Sequence, residues 1–193
     1  MNAREQEREF LRIVRANPGI AAVLNAMCDF PAPDLWLVSG CLFQSVWNAL
    51  EDKPPEYGIL DYDLFYFDTD LSYEAEDRWI KRSAAHFAST GLRVELRNQA
   101  RVHLWYGEKF GIAGYPPLTS SCDGVDHFLF PACMVAIRPR AAGEPELYAP
   151  LGLDDVFNLV LRSNPLWPQP RDDRFWSKVR RYQSAWPTVT VAQ

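Results

Sequence analysis

The stretch Leu60-Asp61-Tyr62-Asp63-Leu64-Phe65-Tyr66-Phe67-Asp68 places two carboxylates inside an apolar, aromatic run. A run of this composition reads as a buried strand, in which residues two apart project from the same face. Asp61 and Asp63 therefore converge, and ionised carboxylates are costly to bury without a cation or hydrogen bonds. The arrangement suits a hard divalent cation, Mg2+ or Mn2+, which takes oxygen ligands and commonly travels with phosphates.

Upstream, Leu35-Trp36-Leu37-Val38 is a short buried strand running into Ser39-Gly40. From Cys41 to Leu50 the pattern turns helical, with Leu42, Val46, Ala49 and Leu50 available for packing. A strand that turns into a helix at Ser39-Gly40 presents free amides, a candidate phosphate cradle. Downstream, Glu74 to Ser89 forms an amphipathic helix around Ala75, Trp79, Ala84 and Phe87. Leu92, Val94 and Leu96 then alternate with Arg93 and Glu95, so Glu95 projects from the polar face of a later strand. There it can complete a three-carboxylate cluster with Asp61 and Asp63.

Ala100 to Trp105 is expected to be a further strand, with Arg101 and His103 on one face. Arg101 is a candidate phosphate contact or a partner for Glu95. His103 is a candidate hydrogen-bonding group for nucleotide or acceptor, with a half-buried packing histidine as the plainer account. Plainer accounts exist for the other pieces too. Ser39-Gly40 is often only a turn, Asp-x-Asp often a surface pair, and Glu95 has Arg93 and Arg97 as neighbours. Together and in this order, a phosphate cradle beside paired carboxylates points to phosphoryl or nucleotidyl transfer.

Residues 3–16 read as a helix ended by Asn17-Pro18-Gly19, and a second helix covers Ile20 to Met27. Lys53 to Gly58 is a loop, Asp68 to Leu71 a turn in which Asp68 and Asp70 are structural, and residues 107–131 are loop-rich. Ala132 to Arg138 and Glu146 to Tyr148 are expected strands. Asp154 or Asp155 caps a helix reaching about Arg162, and a last helix runs from Asp172 to Ala185. In that helix Lys178-Val179-Arg180-Arg181 reads as a solvated face, and the tryptophans along the chain read as packing residues. The fold class that follows is α+β: a mixed β-sheet covered by helices, with N- and C-terminal helices. One domain is expected over residues 1–193, with a core at about 35–165 and a helical extension at about 166–193.

The net charge of −5 argues against broad nucleic-acid binding, which needs a basic surface. No apolar stretch is long enough to span a bilayer, and the charged amino terminus lacks a signal core. Cys28, Cys41, Cys122 and Cys133 form no CxxC pair, which disfavours a zinc site or disulfide framework and favours a cytoplasmic location.

Leu37-Val38-Ser39-Gly40 running on to Val46-Trp47-Asn48, the Asp61 to Asp68 stretch, Val94 to Tyr106 and Ala149 to Asp155 carry a family likeness. On these segments the chain resembles the nucleotidyltransferase superfamily that includes DNA polymerase beta. More specifically it is similar to a bacterial family of small nucleotidyltransferases, formerly a domain of unknown function. The likeness spans about residues 35–165, and Asn98-Gln99-Ala100-Arg101-Val102-His103-Leu104-Trp105 is its most specific part. Two departures stand out: Cys41 follows Gly40 where the superfamily usually has Ser or Gly, and Lys53 to Tyr57 lengthens the gap before Asp61.

The resemblance implies Asp61, Asp63 and Glu95 as catalytic metal ligands, and Ser39, Gly40, Arg101 and His103 as nucleotide-binding residues. It implies Mg2+ or Mn2+ as cofactor and a nucleoside triphosphate such as ATP as substrate. The acceptor is left open among a small molecule, a protein and an RNA end, with no membrane partner. Two other readings remain at this stage: a sugar-nucleotide glycosyltransferase, which also uses Asp-x-Asp, and a nucleotide-binding or interaction module without turnover.

Overall fold

The computed structural model describes residues 1–112 and 114–192; Ala113, within the loop-rich segment, and the final residue lie outside it. The chain opens with helix α1 (Ala3–Ala16), started by a reciprocal cap in which Asn2 and Glu5 each accept the other's amide. Helix α2 (Pro18–Met27) begins with proline at its first position, where the missing N–H costs no hydrogen bond. Between them the buried Asn17 ends one helix and caps the next. Its Oδ1 accepts from Ile20 N, while its Nδ2 donates to Ser45 Oγ at 3.0 Å and to the Pro55 carbonyl at 2.9 Å. Asn17→Ala removes a cap and strands buried acceptors, so it should cost about 2–4 kcal/mol in urea unfolding.

Strand β1 (Trp36–Val38), helix α3 (Gly40–Leu50), strand β2 (Tyr62–Tyr66) and helix α4 (Tyr73–Phe87) follow, then strand β3 (Val94–Asn98). After a 3-10 segment at Gln99–Leu104 come α5 (Tyr106–Phe110) and α6 (Ser121–Asp126). Strands β4 (Ala136–Arg138) and β5 (Glu146–Tyr148), helix α7 (Asp154–Phe157), strand β6 (Val160–Leu161), helix α8 (Asp173–Ala185) and strand β7 (Thr190–Val191) complete the order.

The main sheet has five strands in the order β3-β2-β1-β4-β5, with β2 and β3 parallel and the other pairs antiparallel. One face is the core: Leu37, Leu64, Leu96 and Ile137 are buried against α1, α2, α3 and the end of α8. The opposite face carries Asp63 and Phe65 on β2, in register with Glu95 and Arg97 on β3. Part of this second face is covered by a smaller cluster in which Trp36, Val38 and Ala136 meet Val125 and Met134. This mixed sheet with helical cover is the expected α+β class.

Helix α8 is fastened by its C-terminal cap residue. The Trp186 ring packs edge-on to Trp47 with centroids 5.4 Å apart, and its Nε1 donates to Asn48 Oδ1 at 2.8 Å. Gly58, at φ +72°, lies beneath the same ring; a Cβ there would stand 2.7 Å from it. Asn48 Nδ2 also donates to the Pro55 and Tyr57 carbonyls, so the lengthened loop before Asp61 is pinned to the core.

Three expectations are corrected. Ala100 to Trp105 is not a strand: Asn98 Oδ1 accepts the Ala100 amide at 3.1 Å and the backbone coils into the 3-10 segment. Arg101 and His103 therefore share no strand face. The helix from Asp154 stops at Phe157, because Leu159 takes φ +51° and the chain straightens into β6, parallel to β7. The segment 132–138 begins in a 3-10 turn (Pro131–Cys133) and becomes strand only at Ala136. Among the described residues, no helix is long and apolar enough to cross a membrane.

Candidate active site

β1 delivers the chain into α3 through a single contorted residue. Ser39 sits at φ +55°, ψ −108°, outside the left-handed well and sparsely populated for any residue with a side chain. Its amide donates to the Val135 carbonyl at 2.8 Å, and its own carbonyl accepts from Leu42 and Phe43. The preceding amides, of Gly40 and Cys41, head the helix ahead of its first internal hydrogen bond. Beneath the turn, burial pushes the Cys133 thiol up to about 11, against the pull of Lys178 and of hydrogen bonds from Tyr182 and Ser39. A β-branched side chain cannot accept this backbone without strain. Ser39→Val should therefore lower stability by about 2 kcal/mol in urea unfolding, whereas Ser39→Gly should not lower it.

Val38 pairs with Asp63 across β1 and β2, so the start of the aspartate strand lies beside the head of α3. Asp63 projects from the sheet face opposite the core and is mostly buried. Desolvation, with Asp61 and then Glu95 adding like charge, pushes its carboxyl from 3.8 up to about 6; Arg97 and Lys178 pull the other way. The two aspartates are therefore electrostatic neighbours, as their spacing requires. They also help to raise the buried Cys41 thiol, after burial itself. Cys41 is thus buried in the fold, and its difference from Ser or Gly bears on the helix interior.

Glu95 lies directly across from Asp63 on the parallel strand β3. Its carboxylate is held by Arg93 at 2.5 Å and Arg97 at 3.4 Å. Among the described residues, no three His, Cys, Asp or Glu side chains stand close enough together to enclose a metal ion. Asp61 and Asp63 nevertheless supply hard oxygen donors. Burial first, and then the like charges of Asp61 and Glu95, disfavour the ionised Asp63, and a divalent cation between the two aspartates offsets both effects, so the pair fits Mg2+ or Mn2+.

The remaining expected site residues are placed elsewhere. Arg101 forms an ion pair with Glu76 of α4 in a part-buried setting and lies over the Tyr73 ring, so its first partner is structural. His103 is part-buried, with Nδ1 lacking a hydrogen-bond partner. Asp68 and Asp70 shape the turn before α4, as expected: Asp68 accepts from Asp70 N and Trp79 Nε1, and Asp70 accepts from Ser72 N.

A cavity of about 250 Å3 adjoins the carboxylates on the same sheet face. Phe65 and Arg97 form its floor, one pleat repeat beyond Asp63 and Glu95, a step of about 6.6 Å. Its walls include Tyr106, Tyr115 and Phe128, and α8 contributes Arg174 and Lys178; Arg101 and His103 do not line it. From the sequence Lys178 reads as part of a solvated face and Arg174 stands out in no way, although their i, i+4 spacing sets both on one face beside the apolar stripe. Trp105, expected to be a packing residue, also lines the cavity.

Comparison with known proteins bears on this constellation. A family model described as nucleotidyltransferase matches residues 25–191. A solved NMR structure, described as revealing a CCA-adding enzyme head domain, is similar at 27% sequence identity and TM-score 0.77, covering 96% of this chain and 95% of that one. No curated protein matches the chain.

Proposed function

The chain belongs to the nucleotidyltransferase family, and from that premise we propose that it moves a nucleoside monophosphate from a nucleoside triphosphate to an acceptor hydroxyl, using Asp61 and Asp63 as ligands of Mg2+ or Mn2+. The observation that carries this reading is the placement of the two aspartates beside the contorted Ser39 turn at the head of α3. The bound cation supplies charge neutralisation at the phosphates and fixes their orientation.

The protein's own groups do the rest. Asp61, immediately before β2, and Asp63, within it, anchor the cation. The Gly40 and Cys41 amides, at the positive end of α3, receive a phosphate oxygen, with Ser39 holding the turn open for it. Arg97 and Lys178 add positive charge near Asp63. The acceptor hydroxyl attacks the α-phosphorus in line; the new P–O bond forms as the bond to the β-phosphate oxygen breaks, and pyrophosphate leaves. In this reading Glu95 takes the hydroxyl proton once its contacts with Arg93 and Arg97 yield to substrate phosphates. Arg101 and His103 act at one remove in this scheme, through the 3-10 segment that follows β3.

The test is a transfer assay with α-phosphate-labelled triphosphates, Mg2+ or Mn2+, and acceptor panels of small hydroxylated compounds, proteins and RNA ends. Label in one panel together with pyrophosphate release identifies the acceptor class. Absence of metal-dependent triphosphate binding under all these conditions contradicts the reading.

A further inference from the structure

The cavity beside the carboxylates carries more information than its position. Its aromatic lining is Phe65 on the floor with Tyr106, Tyr115 and Phe128 on the walls, and Phe65 and Phe128 stack with ring planes 26° apart. Three cationic residues, Arg97, Arg174 and Lys178, line it, and no Asp or Glu does among the described residues. In a chain of net charge −5 this local balance is selective for an anionic, planar ligand.

Arg174 is the most telling member. Its guanidinium donates to the Tyr106 hydroxyl at 3.2 Å and to Gln169, both neutral acceptors, and it has no carboxylate partner among the described residues. Its Nε is buried without any partner. A buried donor without an acceptor is costly, so a ligand bringing a ring nitrogen or carbonyl oxygen to the Arg174 guanidinium is favoured. The volume of about 250 Å3 lies just below the usual range for small-molecule sites, which suits a single small planar ligand and is too small for a strand of nucleic acid.

We propose that this cavity holds the nucleoside of the triphosphate, its base against the aromatic wall with Arg174 reading its acceptor edge, and its phosphates leading past Lys178 and Arg97 to the aspartates. The assignment rests on the nucleotidyl-transfer reading of those aspartates. It makes Arg174 and Tyr115 determinants of nucleotide affinity that no phosphate contact explains.

The experiment compares binding of ATP, GTP, CTP and UTP with binding of inorganic tripolyphosphate, each with Mg2+, by titration calorimetry. Wild type, Arg174→Gln and Tyr115→Leu are used, with thermal melts to identify folded variants; Arg174→Gln carries the test if Tyr115→Leu does not fold. The expected result is a loss of at least tenfold in affinity for the preferred triphosphate in the variants, with tripolyphosphate affinity unchanged. Unchanged triphosphate affinity, or equal loss for tripolyphosphate, overturns the cavity assignment and leaves the transfer reading intact. A wild-type protein that binds neither tripolyphosphate nor any triphosphate overturns both.

Discussion

Asp63→Asn is expected to lower kcat/KM for nucleotidyl transfer by about 1,000-fold or more while making the metal-free protein more stable at neutral pH. The loss follows from removing one anchor of a cation whose charge stabilisation is worth several kcal/mol, each 1.36 kcal/mol being a factor of ten. The gain follows from the Asp63 carboxyl, which burial, Asp61 and Glu95 together push from 3.8 up to about 6. The sign is that of a raised acid: the folded state holds the proton more tightly than the unfolded state. The penalty of ionising it is absent below about pH 4, grows as pH rises and is complete above about pH 6, with a ceiling of about 3 kcal/mol. Urea unfolding of both proteins at pH 4 and pH 8 in chelator checks this: the variant's advantage should appear only at the higher pH. Coupled loss of activity and gain of stability is the mark of a residue kept for chemistry against the preference of the fold.

Trp186→Ala is expected to have the largest effect on stability, about 4 kcal/mol, which lowers the melting temperature of a chain this size by about 8–16 °C. The indole fills the space between Trp47, Tyr182 and Gly58, and its N–H satisfies Asn48, which is fully buried. Truncation opens a cavity and strands that amide oxygen together. The consequence reaches the site, because Trp186 seats the end of α8 and α8 carries Arg174 and Lys178. Triphosphate affinity should fall with it even where the variant is still folded. Gly58→Ala, which drives a methyl into the same ring from a backbone at φ +72°, should have the same sign. Thermal and urea unfolding of both variants measure this.

The sequence was most legible where side-chain period and backbone chemistry agreed. The aspartate strand, the turn into α3 and the alternation ending at Leu96 gave faces that the sheet register reproduces, with Asp63 across from Glu95. Ala100 to Leu104 was misleading because an alternating burial pattern over five residues does not separate a strand from a 3-10 coil. The Asn98 side chain, capping the Ala100 amide, decides it. Glu95 illustrates a different difficulty: its placement was readable, but Arg93 and Arg97 stand two residues away on either side and engage it in the folded chain. The cavity was not legible at all. Its floor comes from β2 and β3, much of its wall from Trp105 to Phe110 and Tyr115 to Leu129, and two of its three cations from α8, so only the closure of the fold brings them together. Lys178 shows why: one charge in a basic run looks like solvated surface until α8 docks and sets it within reach of Asp63.

The central claim is that Asp61 and Asp63 hold a divalent cation for a nucleoside triphosphate. Its most direct test is calorimetric binding of a triphosphate with and without Mn2+, on wild type and on the Asp61→Asn, Asp63→Asn double variant. Mn2+ is expected to tighten binding at least tenfold in the wild type and not in the double variant. Binding that ignores the metal in the wild type, or a metal effect that survives loss of both aspartates, would contradict it.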